Sequence, residues 1–241
     1  MSVSLFIPCM TEHLYPESGI AMVKIFRHLG VDVDYVENQT CCGQPAFNSG
    51  YRNEVVPAAE RFIELFRDKE YVIAPSGSCV SFVKGYYKEL AIKEELKPAL
   101  NELTGKIYEF TEFLVDVMGL ASLGGEFNGR VTYHDSCHLL RELGIKEQPR
   151  TLIKSIKGIE FVEMKDSDTC CGFGGTFSYK FENVSVAMVS EKCFNIESTG
   201  AQLCIGADSS CLMNIEGYLR KNKMKAKTMH IAELLALSLK L

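Results

Sequence analysis

Residues 31–45 read Val31-Asp-Val-Asp-Tyr-Val36-Glu-Asn-Gln-Thr40-Cys41-Cys42-Gly43-Gln44-Pro45, and residues 159–172 read Ile159-Glu-Phe-Val-Glu-Met-Lys-Asp-Ser-Asp-Thr169-Cys170-Cys171-Gly172. In both, a β-prone run leads within a few residues to Thr-Cys-Cys-Gly, a turn-like end to a strand. Upstream of the first copy, Val3–Ile7 is an apolar run that reads as a buried strand ending at Pro8 and Cys9. Ile20, Val23, Phe26 and Leu29 then recur at helical spacing before Gly30. Downstream, a helical pattern over Val55–Phe66 precedes a third strand, Tyr71–Ala74, and Pro75, Ser76, Gly77 and Ser78 lead to Cys79. Strands alternating with helices predict an α/β fold with a mostly parallel sheet flanked by helices. Each cysteine group then falls at a strand's carboxyl end, the edge where open α/β sheets bind ligands.

The second half repeats this order. Val131–Tyr133 leads into His134, Asp135, Ser136, Cys137 and His138; Ile159–Glu163 precedes the second cysteine pair; Gln202–Ile205 runs to Asp208 and then Cys211. Cys9, Cys41, Cys42 and Cys79 match Cys137, Cys170, Cys171 and Cys211 at offsets of 128, 129, 129 and 132 residues, which an internal duplication explains. The tails match too, Ile107–Leu114 with Thr228–Leu235. A Ser/Gly/Asn-rich join near Ala121–Gly129 separates two similar half-domains, 1–121 and 130–241, expected to face each other across a pseudo-two-fold axis.

Composition narrows the chemistry. Among 241 residues the net charge of −5 comes from interspersed acids and bases, with no basic stripe for nucleic acid. No apolar run is long enough for a transmembrane segment and the opening residues do not resemble a signal peptide, so a cytoplasmic protein is expected. Ten cysteines in such a chain point to metal or redox chemistry rather than a disulfide scaffold. Thiolates are soft ligands for iron–sulfur clusters, zinc or copper, and four converging thiolates are the usual requirement for a cluster or a structural zinc. The spacings C-x31-CC-x36-C and C-x32-CC-x39-C are too long for one loop, so each site must be assembled by the fold. Adjacent cysteines diverge from an extended backbone, which suits a multi-iron cluster better than one ion. Gly43 and Gly172 let backbone approach the pairs, where amides can hydrogen-bond to sulfur and tune a potential.

Two Thr-Cys-Cys-Gly segments, each with a cysteine about 32 residues upstream and another further on, resemble the cysteine-rich (CCG) domain family across essentially the whole chain. That family includes a component of heterodisulfide reductase, the iron–sulfur subunits of glycolate oxidase and anaerobic glycerol-3-phosphate dehydrogenase, and the lactate utilisation protein A group. The Ser-Gly-Ser-Cys79 and His134-Asp-Ser-Cys-His138 segments most resemble the last. The resemblance implies an iron–sulfur electron-transfer subunit of a 2-hydroxy-acid, L-lactate, oxidising system, a redox subunit of an oxidoreductase complex rather than a complete enzyme. Its eight matched cysteines would hold one or two [4Fe-4S] clusters, with zinc in one half as an alternative, and its partners would be other iron–sulfur subunits. The family's fuller pattern ends in CxxC, whereas Ser76 and Asp208 stand at the first position of that pair here. This departure counts against non-cubane clusters and against the alternative of heterodisulfide-reductase-like thiol–disulfide chemistry. A non-catalytic metal-binding or assembly role is a further alternative. The chain has neither C-x2-C-x2-C-x3-C nor, after its first strand, G-x-G-x-x-G, so partners would supply ferredoxin-type clusters and no nucleotide site is expected.

Other residues divide between chemistry and structure. His134 and His138 flank Cys137 and are candidates to ligate metal, donate to sulfur or hydrogen-bond beside the site; His13 is similarly placed after Cys9. Cys193, Cys204, His28 and His230 read as structural, Arg141 as a solvated charge with a lesser case for anchoring an anion, and Lys88–Lys97 as a solvated helix face.

Overall fold

The computed structural model describes residues 1–241. The first half runs β1 (Ser2–Leu5), α1 (Cys9–Leu14), α2 (Pro16–His28), β2 (Asp32–Tyr35), α3 (Gln44–Asn48), α4 (Arg52–Phe66), β3 (Tyr71–Ala74), α5 (Gly77–Tyr86), α6 (Lys97–Thr104), β4 (Ile107–Glu109) and α7 (Phe110–Glu112), the last extended by a wider π turn over Phe113–Val117. The second half runs β5 (Glu126–Tyr133), α8 (Cys137–Arg141), α9 (Glu147–Lys154), β6 (Lys157–Phe161), α10 (Phe177–Lys180), α11 (Glu182–Ser198), β7 (Leu203–Gly206), α12 (Ser209–Lys221), β8 (Lys227–His230) and α13 (Ile231–Ser238). Two four-stranded sheets result, ordered β2-β1-β3-β4 and β6-β5-β7-β8, with every pairing parallel. The expected α/β fold of two similar halves, each a parallel sheet flanked by helices, is what forms.

Strand order fixes where a site can lie. The chain leaves β1 toward β2 on one side and later places β3 on the other, so a crevice opens beyond the carboxyl ends of β1 and β3; β5 and β7 repeat this. Cys9 follows β1 and Cys79 follows β3, while Cys137 and Cys211 follow β5 and β7.

Alternation along the strands sorts side chains into layers. Val3 and Leu5 of β1, Ile73 of β3, Val131 and Tyr133 of β5 and Ile205 of β7 enter one apolar core with Phe26 of α2, Phe110 of α7, Leu152 of α9 and Leu235 of α13. Phe6, Val72 and Ala74 face a second core whose buried residues all come from the first half, with Leu143 of the second half packed at its edge, and Cys204 faces a third confined to the second half. The largest core is thus shared by the two halves: α13 packs on α2, and Ser18 Oγ donates to Glu233 Oε1 at 2.5 Å.

Two local expectations change. Lys88–Lys97 is not a helix face: short turns at Tyr87–Glu89 and Glu94–Leu96 flank an extended link, because Leu90, Ile92 and Leu96 are buried in the first-half core while the charges stay outside. Strand β5 begins at Glu126, inside the expected join and before residue 130, where five residues alternating between exposed and half-buried precede the buried Val131–Tyr133. No helix is long and apolar enough to cross a membrane.

Candidate metal centre

Each set of four cysteines is brought together by three loops from one sheet. In the first half Cys9 opens α1, the Cys41–Cys42 pair follows β2, and Cys79 lies in the first turn of α5. Cys42 Sγ lies 3.4 Å from Cys79 Sγ, and the Gly43 N–H donates to Cys41 Sγ at 3.4 Å. The second half repeats that contact, the Gly172 N–H donating to Cys170 Sγ at 3.4 Å. Only glycine fits at these two places. Gly43 has φ +95° and a Cβ there would lie 2.5 Å from Val55 Cγ1; Gly172 has φ +83° and a Cβ would lie 2.7 Å from the Ser185 carbonyl oxygen.

The sulfurs interact along each set. Facing thiols of Cys42 and Cys9 hold Cys41 down, to about 3, with the Gly43 amide adding to the effect against burial. Cys137 and Cys171 do the same to Cys170, which falls to about 2. Cys171 lowers Cys211 to about 6, with His134 acting in the same direction against burial and Asp208. Cys9 and Cys137 are raised by their contacts with Cys41 and Cys170, and Cys42 and Cys171 by their cysteine neighbours and by burial. Cys41 in the first set, and Cys170 and Cys211 in the second, are thereby held toward the thiolate form that binds a metal, beside crowded thiols that are raised.

Both sets open on one cavity of about 120 Å³ between the halves, lined by all eight matched cysteines and by His138, Asp208 and Gly174 among others. The halves are latched beside it. Ser76 and Asp208 form an antiparallel bridge. The buried Asp208 carboxylate accepts from Ser76 Oγ at 3.2 Å, from the Ser78 N–H at 3.0 Å and from Ser210 Oγ at 2.6 Å. Asp208 is the N-cap of α12 and Ser76 that of α5, whose Oγ accepts from the Cys79 N–H. Thr11 Oγ1 and Ser209 Oγ also pair, at 3.1 Å, and Gln44 Nε2 meets His138 Nε2 at 3.3 Å.

A second network holds the loops of the second half. Asp135 is completely buried, which alone would raise its carboxyl; two hydrogen bonds from Arg150, at 2.8 and 2.7 Å, outweigh burial and its pKa is lowered. Ser167 Oγ donates to the same carboxylate, and Arg150 also reaches Glu163. The strand end carrying His134 and Cys137 is thereby tied to the loop that delivers Cys170 and Cys171. Neither Arg150 nor Asp208's role as a latch is visible in the sequence, since Arg150 sits on an amphipathic helix and its partner lies 15 residues away.

The remaining candidates fall into place around this. His138 is half-buried with Nδ1 3.5 Å from Cys137 Sγ, and His134 is buried with neither ring nitrogen hydrogen-bonded. His13 is exposed, and Arg141 donates to the Asp168 carbonyl outside the cavity. Cys193 and Cys204 are buried in the second-half core, where burial pushes Cys193 up to about 12 and Cys204 higher. A soft, sulfur-rich donor set, part buried and part facing the cavity, with amides aimed at sulfur and an orphaned imidazole beside it, fits a metal or iron–sulfur group.

The fold and these paired thiol sets define a duplicated cysteine-rich module, and the chain belongs to the Cysteine-rich domain (CCG) family, whose pattern matches residues 3–84 and 131–216. It is 48% identical over 236 residues to "Lactate utilization protein A 1" of Bacillus mycoides (strain KBAB4), covering 98% of this chain and 96% of that one. It is 45% identical over 235 residues to "Lactate utilization protein A" of Oceanobacillus iheyensis, with the same coverages. Among solved structures, a hypothetical protein from Helicobacter pylori superposes with a TM-score of 0.70 at 12% identity over all of this chain, which spans about half (49%) of that one, and so shares the fold.

Proposed function

We propose that this protein is the iron–sulfur electron-transfer subunit of an L-lactate oxidising system, working with other iron–sulfur subunits. The observation that carries the reading is the pair of four-thiol sets, Cys9, Cys41, Cys42, Cys79 and Cys137, Cys170, Cys171, Cys211, opening on a single cavity. The names of the relatives supply the substrate. Bound iron–sulfur clusters would supply one-electron transfer. The chain's own residues bind and tune: the thiols are the ligands, and the Gly43 and Gly172 amides stabilise charge on Cys41 and Cys170. Apolar loop residues such as Phe173 and Pro45 limit water around the sulfur atoms.

Thiol–disulfide chemistry is disfavoured by what Ser76 and Asp208 do. Both side chains are spent on the latch and on helix caps, so neither position offers an extra sulfur. Deleting the gene is expected to abolish growth on L-lactate as sole carbon source while sparing growth on glucose. The wild-type gene restores growth, and a copy encoding Cys41→Ser does not. Undiminished growth of the deletion strain on lactate would sink the assignment to lactate oxidation.

A further inference from the structure

The two halves do not offer the same donors. Three residues before the first cysteine of each set stand Phe6 in the first half and His134 in the second. Phe6 is a core residue whose ring meets Phe62 edge-on at 4.7 Å between centroids. His134 is only 1% exposed, and both its ring nitrogens lack a hydrogen-bond partner. An imidazole buried without partners is unfavourable unless something binds it. One of its nitrogens lies with the sulfurs of Cys171 and Cys211 inside a triangle of sides no longer than 4.8 Å. Three donor atoms this close surround a single metal centre, with the imidazole nitrogen beside the metal that Cys171 and Cys211 would hold.

We infer that His134 is a metal ligand of the second half, binding through a ring nitrogen beside Cys171 and Cys211. The chain then carries two unlike centres, an all-thiolate one in the first half and a mixed thiolate–imidazole one in the second. Five donors converge in the second half where the first half has four. Strand β5 and the Asp135–Arg150 contact one residue along hold the imidazole in place. This inference rests on the iron–sulfur reading above.

The test is pulsed electron paramagnetic resonance of anaerobically purified, dithionite-reduced protein labelled with ¹⁵N only in histidine, with iron and sulfide measured on the same samples. A ¹⁵N coupling of the size given by a directly bound imidazole is expected in the wild type and in His138→Gln, and lost in His134→Phe, which installs the first half's residue. His138→Gln keeps the assignment secure if His134→Phe does not fold, because His230 is occupied by Pro75 and Ala232, and His13 and His28 lie outside the cavity. Iron and sulfide present without a histidine coupling overturn the ligand role of His134 and leave the iron–sulfur reading intact. A wild type lacking iron and sulfide overturns both.

Discussion

Glu109 and His230 occupy matched places, each ending the last strand of its half and capping the helix that follows. Glu109 accepts from the Thr111 and Glu112 amides, and His230 Nδ1 from that of Ala232, while His230 Nε2 donates to the Pro75 carbonyl of the other half. Both are buried in their neutral forms. Burial raises Glu109 from its ordinary 4.5 to about 8, so the folded chain holds a proton there that the unfolded chain loses, and stability falls as pH rises from about 4.5 to about 8. Burial lowers His230 from 6.5 to about 4, so its contribution falls instead as pH drops through that range. The slopes oppose between about 4.5 and 6.5, and from 6.5 to 8 Glu109 acts without His230. Glu109→Gln keeps the cap without the charge. Its urea midpoint is expected to exceed that of the wild type at pH 8, the gap narrowing toward pH 5; a gap that does not change with pH would contradict the buried proton. The likeness of the two tails is legible in the sequence. That His230 bonds a carbonyl 155 residues away is not, because no local pattern encodes a contact between the two halves.

At the scale of elements, the strands are short and the loops beyond them carry the ligands, so what fixes the loops decides the site. Removing the guanidinium in Arg150→Met strands the buried Asp135 carboxylate. The expected loss is about 3–5 kcal/mol in urea unfolding, since one partner of a buried pair is left uncompensated. Adding Asp135→Asn should recover part of it; a loss below about 1 kcal/mol for the single variant would mean that water replaces the guanidinium. The cysteine-bearing turns after β1, β2 and β3, and their repeats, can be read in the sequence because the β-prone runs end at Ile7, Val36 and Ala74, with Pro8, polar residues or Pro75 following. The turns around Leu90, Ile92 and Leu96 cannot, since charges at that spacing mimic a solvated helix until burial of the three apolar residues is seen.

For the whole molecule, duplication did not yield two self-sufficient pieces. The core shared through α2, α7, α9 and α13 is the largest of the three, and each sheet turns one face toward it. Residues 1–121 expressed alone are expected to lack cooperative unfolding followed by tyrosine near-ultraviolet circular dichroism, and mixing with residues 122–241 should restore it. Cooperative unfolding of the first piece alone would show that its private core suffices. The shared core also holds the two switch-point crevices face to face, which is how eight cysteines spread over 203 residues come to line one cavity. The most direct test of the central claim is iron and acid-labile sulfide content after anaerobic purification, for the wild type and for Cys41→Ser and Cys170→Ser. About eight of each per wild-type chain, or about four if one half is loaded, with a reduced-cluster signal and loss of a cluster when its half is mutated, is the result predicted. Zinc without sulfide, or iron retained in both variants, would contradict it.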